Sequence, residues 1–252
     1  MPVINTIDKV IEALDDIIKQ SADNNDTAGY FAALYRRVTN RVRLGIINNE
    51  FEDGARMEQL DVLFANRYLD AYFAWKQNQP VSASWKKAFD ITTNYWPIVL
   101  QHLLMGMNAH INLDLGVAAA AVSKEKNIYA MQNDFNKINE ILSSLVNEVQ
   151  NNLAEIWPTL KKILQKTRKV DDFLVDYSMQ LSRDGAWKFA TNMANKADAE
   201  LPVLIEARDK KVAEKSKIII NSGFIARLIF GIIRISELGS VKQKIAKLQN
   251  KL

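Results

Sequence analysis

The sequence contains no cysteine among its 252 residues. Disulfides, thiolate metal sites and a cysteine nucleophile are therefore excluded. Proline and glycine are also scarce, at five and nine residues, and most of them lie at joints between predicted helices. No stretch alternates between apolar and polar side chains as a half-buried strand does, and apolar residues recur at three and four positions instead. The sequence therefore predicts an all-α protein.

The chain also has no apolar run long enough to cross a bilayer, because Gln, His, Asn and Asp interrupt the run that follows Pro97. Its first residues, MPVINTIDKVIEALDD, carry acidic groups and lack the apolar stretch of a signal peptide. We therefore expect a cytoplasmic protein. Hydrophobic residues make up 48% and charged residues 25%, which is ordinary for a globular domain.

Charge is distributed unevenly along the chain, although the net charge is only +4. The stretch from Ser216 to the end has one acid, Glu237, and carries +6, so residues 1–215 carry about −2. The seven basic residues of this stretch are Lys217, Arg227, Arg234, Lys242, Lys244, Lys247 and Lys251. We predict a helical bundle at 1–215 and a basic amphipathic segment at 216–252 that packs on it. No aromatic residues alternate with the lysines, which argues against nucleic acid, whereas an anionic membrane surface stays open as a partner.

Helical periodicity and capping residues predict a single bundle of about eight to ten helices. The first two bear apolar residues from Ile4 to Ile18 and from Phe31 to Val42. The others cover residues 52–76, 97–122, 131–155, 159–166, 170–181, 186–197 and 199–216. The helix over 97–122 is apolar overall and is expected to lie at the centre.

This central helix contains the segment HLLMGMNAHINLDL, residues 102–115, with both histidines of the chain. At about 100° per residue its polar side chains fall on two faces. The imidazole line consists of His102, Gly106, His110 and Asp114, and the amide line consists of Gln101, Asn108 and Asn112. A buried polar group costs about 1–3 kcal/mol when it has no partner. Each of these side chains must therefore be paired or face a cavity.

The pair of His110 and Asp114 suggests acid–base chemistry, because a neighbouring carboxylate raises the pKa of an imidazole and fixes its tautomer. We take both residues, together with His102, as candidate catalytic groups. The two histidines lie about 12 Å apart along the helix axis, too far to bind one metal ion together. We therefore predict no metal site. The sequence has no strong metal or nucleotide motif, and it leaves the cofactor and the oligomeric state open.

Three other segments are expected to face the same interior: Arg67–Tyr68, Asp134–Asn139 and Arg183–Asp184. The candidate substrate-binding residues are Asn108, Asn112, Gly106, Arg67, Tyr68, Arg183 and Asp184. Arg183 would hold an anionic group of the substrate. Two alternatives stay open, namely that Arg67 forms an interhelical ion pair and that the segment SRDGAW is a helix end with a local ion pair.

Three functions fit these observations. The leading hypothesis is an enzyme for a small organic substrate, with His110 as general acid or base in a pocket of a few hundred Å³ beside Gly106. The second is a non-catalytic interaction or scaffold protein whose polar core fixes helix register. The third is a peripheral membrane protein that binds through the segment 216–252.

Several motifs, taken in order, resemble a bacterial all-helical domain-of-unknown-function family numbered 5995. They are LYRRVTNRVRLGI, FEDGARMEQLDVLFANRYLDAY, WPIVLQHLLMGMNAHINLDLG, NDFNKIN and SRDGAW. The resemblance covers about residues 30–200, and the central helix is its most specific part. It implies a shared pocket built from the polar helix and the SRDGAW segment. It implies no established activity, so no catalytic role is transferred.

Overall fold

A computed structural model describes residues 4–124, 126–138, 141, 156, 179–220 and 223–249. These residues form helices and no strand, which confirms the predicted all-α bundle. The helices are α1 (Ile7–Asp23), α2 (Gly29–Ile47), α3 (Gly54–Lys76), α4 (Ala83–Asp90), α5 (Val99–Ala109), α6 (Leu115–Val122), α7 (Met179–Ala194), α8 (Leu201–Ile220), α9 (Gly223–Ser236) and α10 (Val241–Gln249). The predicted helix at 159–166, most of those at 131–155 and 170–181, and Asn139 lie outside the described residues.

Short polar side chains begin and end the first helices. Thr6, Asp53 and Ser82 accept hydrogen bonds from the first free N–H groups of α1, α3 and α4. Asn25, Asn49 and Asn78 follow α1, α2 and α3 with positive φ angles of 52°, 54° and 56°. Asparagine tolerates this left-handed conformation better than most residues, so it stops a helix without glycine.

The predicted helix over 97–122 is central, but it is not one continuous α-helix. It begins at Val99, two residues after Pro97, and a π-helical turn (His110–Asp114) separates α5 from α6. Helices α2, α4 and α8 pack on α5, and α3 and α7 pack on α6. Periodicity at 3.6 residues does not reveal a single wider turn, which is why the sequence predicted an unbroken helix.

The chain runs without interruption through the domain boundary predicted at residue 216, because this residue lies inside α8. Beyond it, α9 buries Phe230 and Ile233, and α10 buries Ile245 and Leu248. These four residues belong to the same apolar cluster as α1, α2 and α5. Among the described residues, no helix is both long and apolar enough to cross a membrane.

Candidate functional site

The π turn is held from outside by α8. Inside the turn, the N–H of Leu115 bonds to the carbonyl of His110 five residues back, as the wider geometry requires. The carbonyl of Asn112 accepts a hydrogen bond from Arg208 Nε, at 2.8 Å. Such turns within α-helices are frequent at functional sites. Both members of the predicted catalytic pair lie on this turn.

Asp114 is fully buried, and its carboxylate accepts hydrogen bonds from three elements. Arg67 Nε of α3 lies 2.7 Å from Oδ1, and Trp85 Nε1 of α4 lies 2.8 Å from Oδ2. The third neighbour is His110 Nδ1, 3.2 Å from Oδ2. Because a guanidinium and an indole only donate, the carboxylate acts as an acceptor, and we assign a proton to His110 Nδ1.

With that assignment, the lone pair of His110 is on Nε2, and this buried atom has no hydrogen-bond partner. The ring lies among aromatic side chains: Phe64 stacks on it at a centroid distance of 3.5 Å, and Tyr35 meets it edge-on at 4.5 Å. Phe31, Tyr68 and Trp85 complete the surroundings. Buried polar atoms are partnered in the great majority of cases, so a free Nε2 is unusual.

Burial lowers the pKa of His110 below its ordinary value. The hydrogen bond and the charge of Asp114 raise this pKa, and the charge of Arg67 lowers it. Desolvation outweighs the carboxylate, in contrast to the expectation from sequence that Asp114 would raise the pKa overall. The imidazole is therefore neutral at pH 7, which leaves Nε2 free to accept a proton.

The notch at Gly106 is filled by a neighbouring side chain. A Cβ atom at this position would lie 2.4 Å from Cδ2 of Phe31, so only glycine allows the ring to pack there. The cavity that remains beside Gly106 holds about 20 Å³, room for about one water molecule. This is far below the few hundred Å³ expected from sequence. Its lining is Thr27, Ala28, Phe31, Tyr68, Trp85, Ala88, Phe89, Thr92, His102 and Gly106.

His102 lines this small cavity rather than the surroundings of His110. Its Nδ1 has no hydrogen-bond partner, and its ring lies edge-on to Tyr30 at 5.5 Å. Burial, followed by the charge of Arg234, lowers the pKa of His102 to about 3, although a hydrogen bond to the backbone of Pro97 raises it. His102 is therefore neutral over the physiological range.

The amide line is used in packing against α8. Gln101 Nε2 donates to the carbonyl of Ile219, and Asn108 Nδ2 donates to that of Val212, both at 2.9 Å. The amide of Asn112 donates to Asn108 Oδ1 at 3.1 Å. Of the two asparagines predicted to bind substrate, Asn108 therefore joins the central helix to α8, and Asn112 pairs with Asn108.

Helix α3 places Asp61, Phe64 and Tyr68 on one face, the face that carries the ring stacked on His110. Asp61 Oδ2 and the hydroxyl of Tyr68 are buried and have no hydrogen-bond partner. Burial, with a smaller effect from Glu58, raises the pKa of Asp61 to about 8. Asp61 also raises the pKa of Tyr35, so these groups interact electrostatically. A carboxyl group with a raised pKa therefore lies within electrostatic range of Tyr35, one of the rings around His110.

The segment Arg183–Asp184 does not join this cluster through any described contact. Arg183 is only 2% exposed, donates from Nη2 to the carbonyl of Phe135 at 3.1 Å, and lies over the Phe135 ring. Its Nε and Nη1 have no partner, and burial lowers its pKa to about 10. Asp184 is exposed. Asp134, expected to face the polar helix, instead binds the backbone of Glu52 and Asp53 before α3.

Sequence reasoning missed the residues that surround the pair. Trp85 is a direct partner of Asp114, and Phe31, Phe64 and Tyr35 enclose His110. No spacing within the central helix indicates them, because they come from other helices. One signal was present: Asp61 precedes Phe64 by three residues and Tyr68 by seven, which puts a carboxylate on an aromatic helix face.

No group of three or more metal-ligating side chains occurs within the part of the chain that the structure describes. The fold and the site together define an all-helical bundle with a buried carboxylate–imidazole pair on a π turn. The chain belongs to the Family of unknown function (DUF5995), whose family model matches residues 7–222. No curated protein and no solved structure matches the chain.

Proposed function

We propose that the chain is an enzyme that acts on a small organic molecule, with His110 Nε2 as the general base. One observation carries the proposal: Asp114 orients the imidazole through Nδ1, and the buried Nε2 is left without a partner. This is the arrangement by which a carboxylate fixes the tautomer of a catalytic histidine. Its position on a π turn supports the same interpretation.

Asp61 supplies the matching acid. Its pKa of about 8 keeps the carboxyl group protonated at pH 7, whereas His110 is neutral under the same conditions. Two titratable groups of one site whose environments shift their pKa values in opposite directions can take the acid and base roles of one reaction. In the proposed reaction His110 takes a proton from the substrate and Asp61 delivers one.

Substrate entry requires the aromatic cluster to open, because the existing cavity beside Gly106 holds only about 20 Å³. The side chain of Arg67 is 32% exposed while its partner Asp114 is buried, so Arg67 marks the solvent side of the pair. Tyr68 and His102 line the cavity and are assigned to substrate binding. The proposal places this enzyme in the bacterial cytoplasm.

The test is incubation of the purified protein with a bacterial metabolite extract, followed by mass spectrometry. The wild type is expected to deplete at least one compound, and His110→Gln is expected to abolish the depletion by removing the base. Gln101→Ala is the matched control, because it removes buried hydrogen bonds from the same helix but lies on the amide line. Equal depletion by wild type and His110→Gln contradicts the proposal, and so does the absence of any change.

A second candidate is a non-catalytic helical protein whose polar core fixes helix register. Two observations favour it, namely the hydrogen bonds made by each amide of the amide line and the small volume beside Gly106. It predicts that His110→Ala lowers the melting temperature and changes no ligand response. Addition of metabolite pools to the wild type separates the candidates, since only a binder gains thermal stability from a ligand.

A further inference from the structure

We propose that the outer face of α9 binds an anionic membrane surface. Helix α9 buries Phe230 and Ile233 against the bundle. On the opposite side Leu228, Ile232 and Ile235 are 59%, 54% and 76% exposed. These three residues are spaced by four and three positions and therefore form one apolar stripe along the helix. This inference is independent of the proposed acid–base chemistry.

Two exposed aromatic residues lie beside α9. Tyr95 and Trp96 are each 64% exposed, in the segment that precedes α5. Arg234 of α9 donates from Nε to the carbonyl of Tyr95 at 2.6 Å, and its guanidinium lies 4.5 Å from the Tyr95 ring centroid. These contacts fix the aromatic pair beside α9. Tyrosine and tryptophan are the residues enriched at membrane–water interfaces.

The charge around the stripe favours an anionic partner. Glu237 is the one acid between residues 216 and 252, and its buried carboxylate is paired with Arg234 at 2.6 Å and Lys244 at 2.7 Å. The C-terminal part of the chain therefore presents no exposed carboxylate in its described residues, whereas Arg227 and Lys217 are exposed. An amphipathic helix with this combination of apolar and basic residues binds in the plane of an anionic bilayer.

A second copy of the chain fits this surface less well. In a two-fold symmetric dimer the same surface would face itself, so the exposed Arg227 beside the stripe would meet the same positive charge on the second copy. An anionic lipid surface instead meets it with the opposite charge. Helix α9 also begins at Gly223, after the last residue that the family model matches. The inference therefore rests on the residues of this chain and not on the family.

The test is flotation of the full-length protein with vesicles of phosphatidylglycerol and phosphatidylcholine at 30:70, compared with pure phosphatidylcholine. The wild type is expected to bind the anionic vesicles at least tenfold more tightly. The double variant Ile232→Ser, Ile235→Ser should lose at least tenfold of this binding. A double variant of exposed apolar residues elsewhere, Tyr129→Ser with Val203→Ser, is the matched control and should bind like the wild type.

Substitutions are preferable to truncation at residue 215, because that cut would divide α8. Circular dichroism of the variants checks that each one is folded. Equal binding to both vesicle types, or undiminished binding of the α9 variant, overturns the inference. Sedimentation of the wild type without lipid tests for a dimer, in which a second copy would cover this surface. A dimer that the α9 variant abolishes, together with no flotation of the wild type, also overturns the inference.

Discussion

The amide line and the imidazole line lie on one helix and look alike in the sequence, yet the structure uses them differently. The amides of Gln101, Asn108 and Asn112 all find partners, two of them in the backbone of α8. On the imidazole line, His102 Nδ1 and His110 Nε2 have none. Unpaired buried polar atoms cost stability, so they persist where another requirement maintains them. This difference supports the proposal that the imidazole line contains the reactive group.

The largest effect is expected from Asp114→Ala, which removes the anchor of the imidazole line. The change leaves Trp85 Nε1 and His110 Nδ1 without an acceptor and Arg67 without its counter-ion. Loss of one member of a buried charged network costs about 3–5 kcal/mol. Urea denaturation followed by tryptophan fluorescence measures the free energy of unfolding. Asp114→Asn keeps one acceptor oxygen and should lose less, and a smaller loss for alanine than for asparagine would contradict this account.

The second effect concerns Asp61, which shares a face of α3 with Phe64 and interacts electrostatically with Tyr35. The native state retains its proton up to about pH 8, whereas the unfolded chain releases it near pH 3.8. The native state then binds more protons than the unfolded state, and stability falls as pH rises between these values. Between pH 5 and 7 the free energy of unfolding of the wild type, minus that of Asp61→Asn, should fall by about 1.4 kcal/mol per pH unit.

Asp70→Asn is the control for this slope, because Asp70 lies on the same helix but is exposed. Asp70→Asn should not reproduce the pH-dependent difference expected for Asp61→Asn. A difference curve between wild type and Asp61→Asn that is flat from pH 5 to 7 would mean that Asp61 is not protonated in the native state. In that case the assignment of Asp61 as the acid fails, while His110 as the base is unaffected.

Parts of the fold followed from local sequence, and parts did not. The helices and the His110–Asp114 contact were predictable because spacing of three and four residues determines which side chains share a helix face. The π turn was not predictable, because it adds one residue to a turn without changing composition. Phe31 and Trp85 come from helices distant in sequence, so the filled notch at Gly106 depends on tertiary packing that periodicity does not contain.

A third effect tests the amide line itself through Asn108→Ala. The change removes the donor to the Val212 carbonyl and the acceptor for Asn112. We expect a loss of about 1–3 kcal/mol in the free energy of unfolding, since buried partners become unsatisfied. No titratable group is removed, so the loss should be the same at pH 5 and pH 7. A loss that depends on pH would show that the two lines are coupled.

The smallest effect is expected from His102→Gln. Its effect on the free energy of unfolding should depend on pH, unlike that of Asn108→Ala. The native state keeps His102 neutral down to about pH 3, whereas the unfolded chain binds a proton near pH 6.5. The wild type therefore loses stability as pH falls below 6.5, in the direction opposite to Asp61. Relative to His102→Gln, this loss should amount to about 1 kcal/mol between pH 6.5 and 5.5. Asn108→Ala removes no titratable group, so its loss of stability should not depend on pH. Parallel denaturation series of the two variants therefore separate titration on the imidazole line from simple loss of packing. Identical pH profiles for the two variants would contradict the difference between the lines.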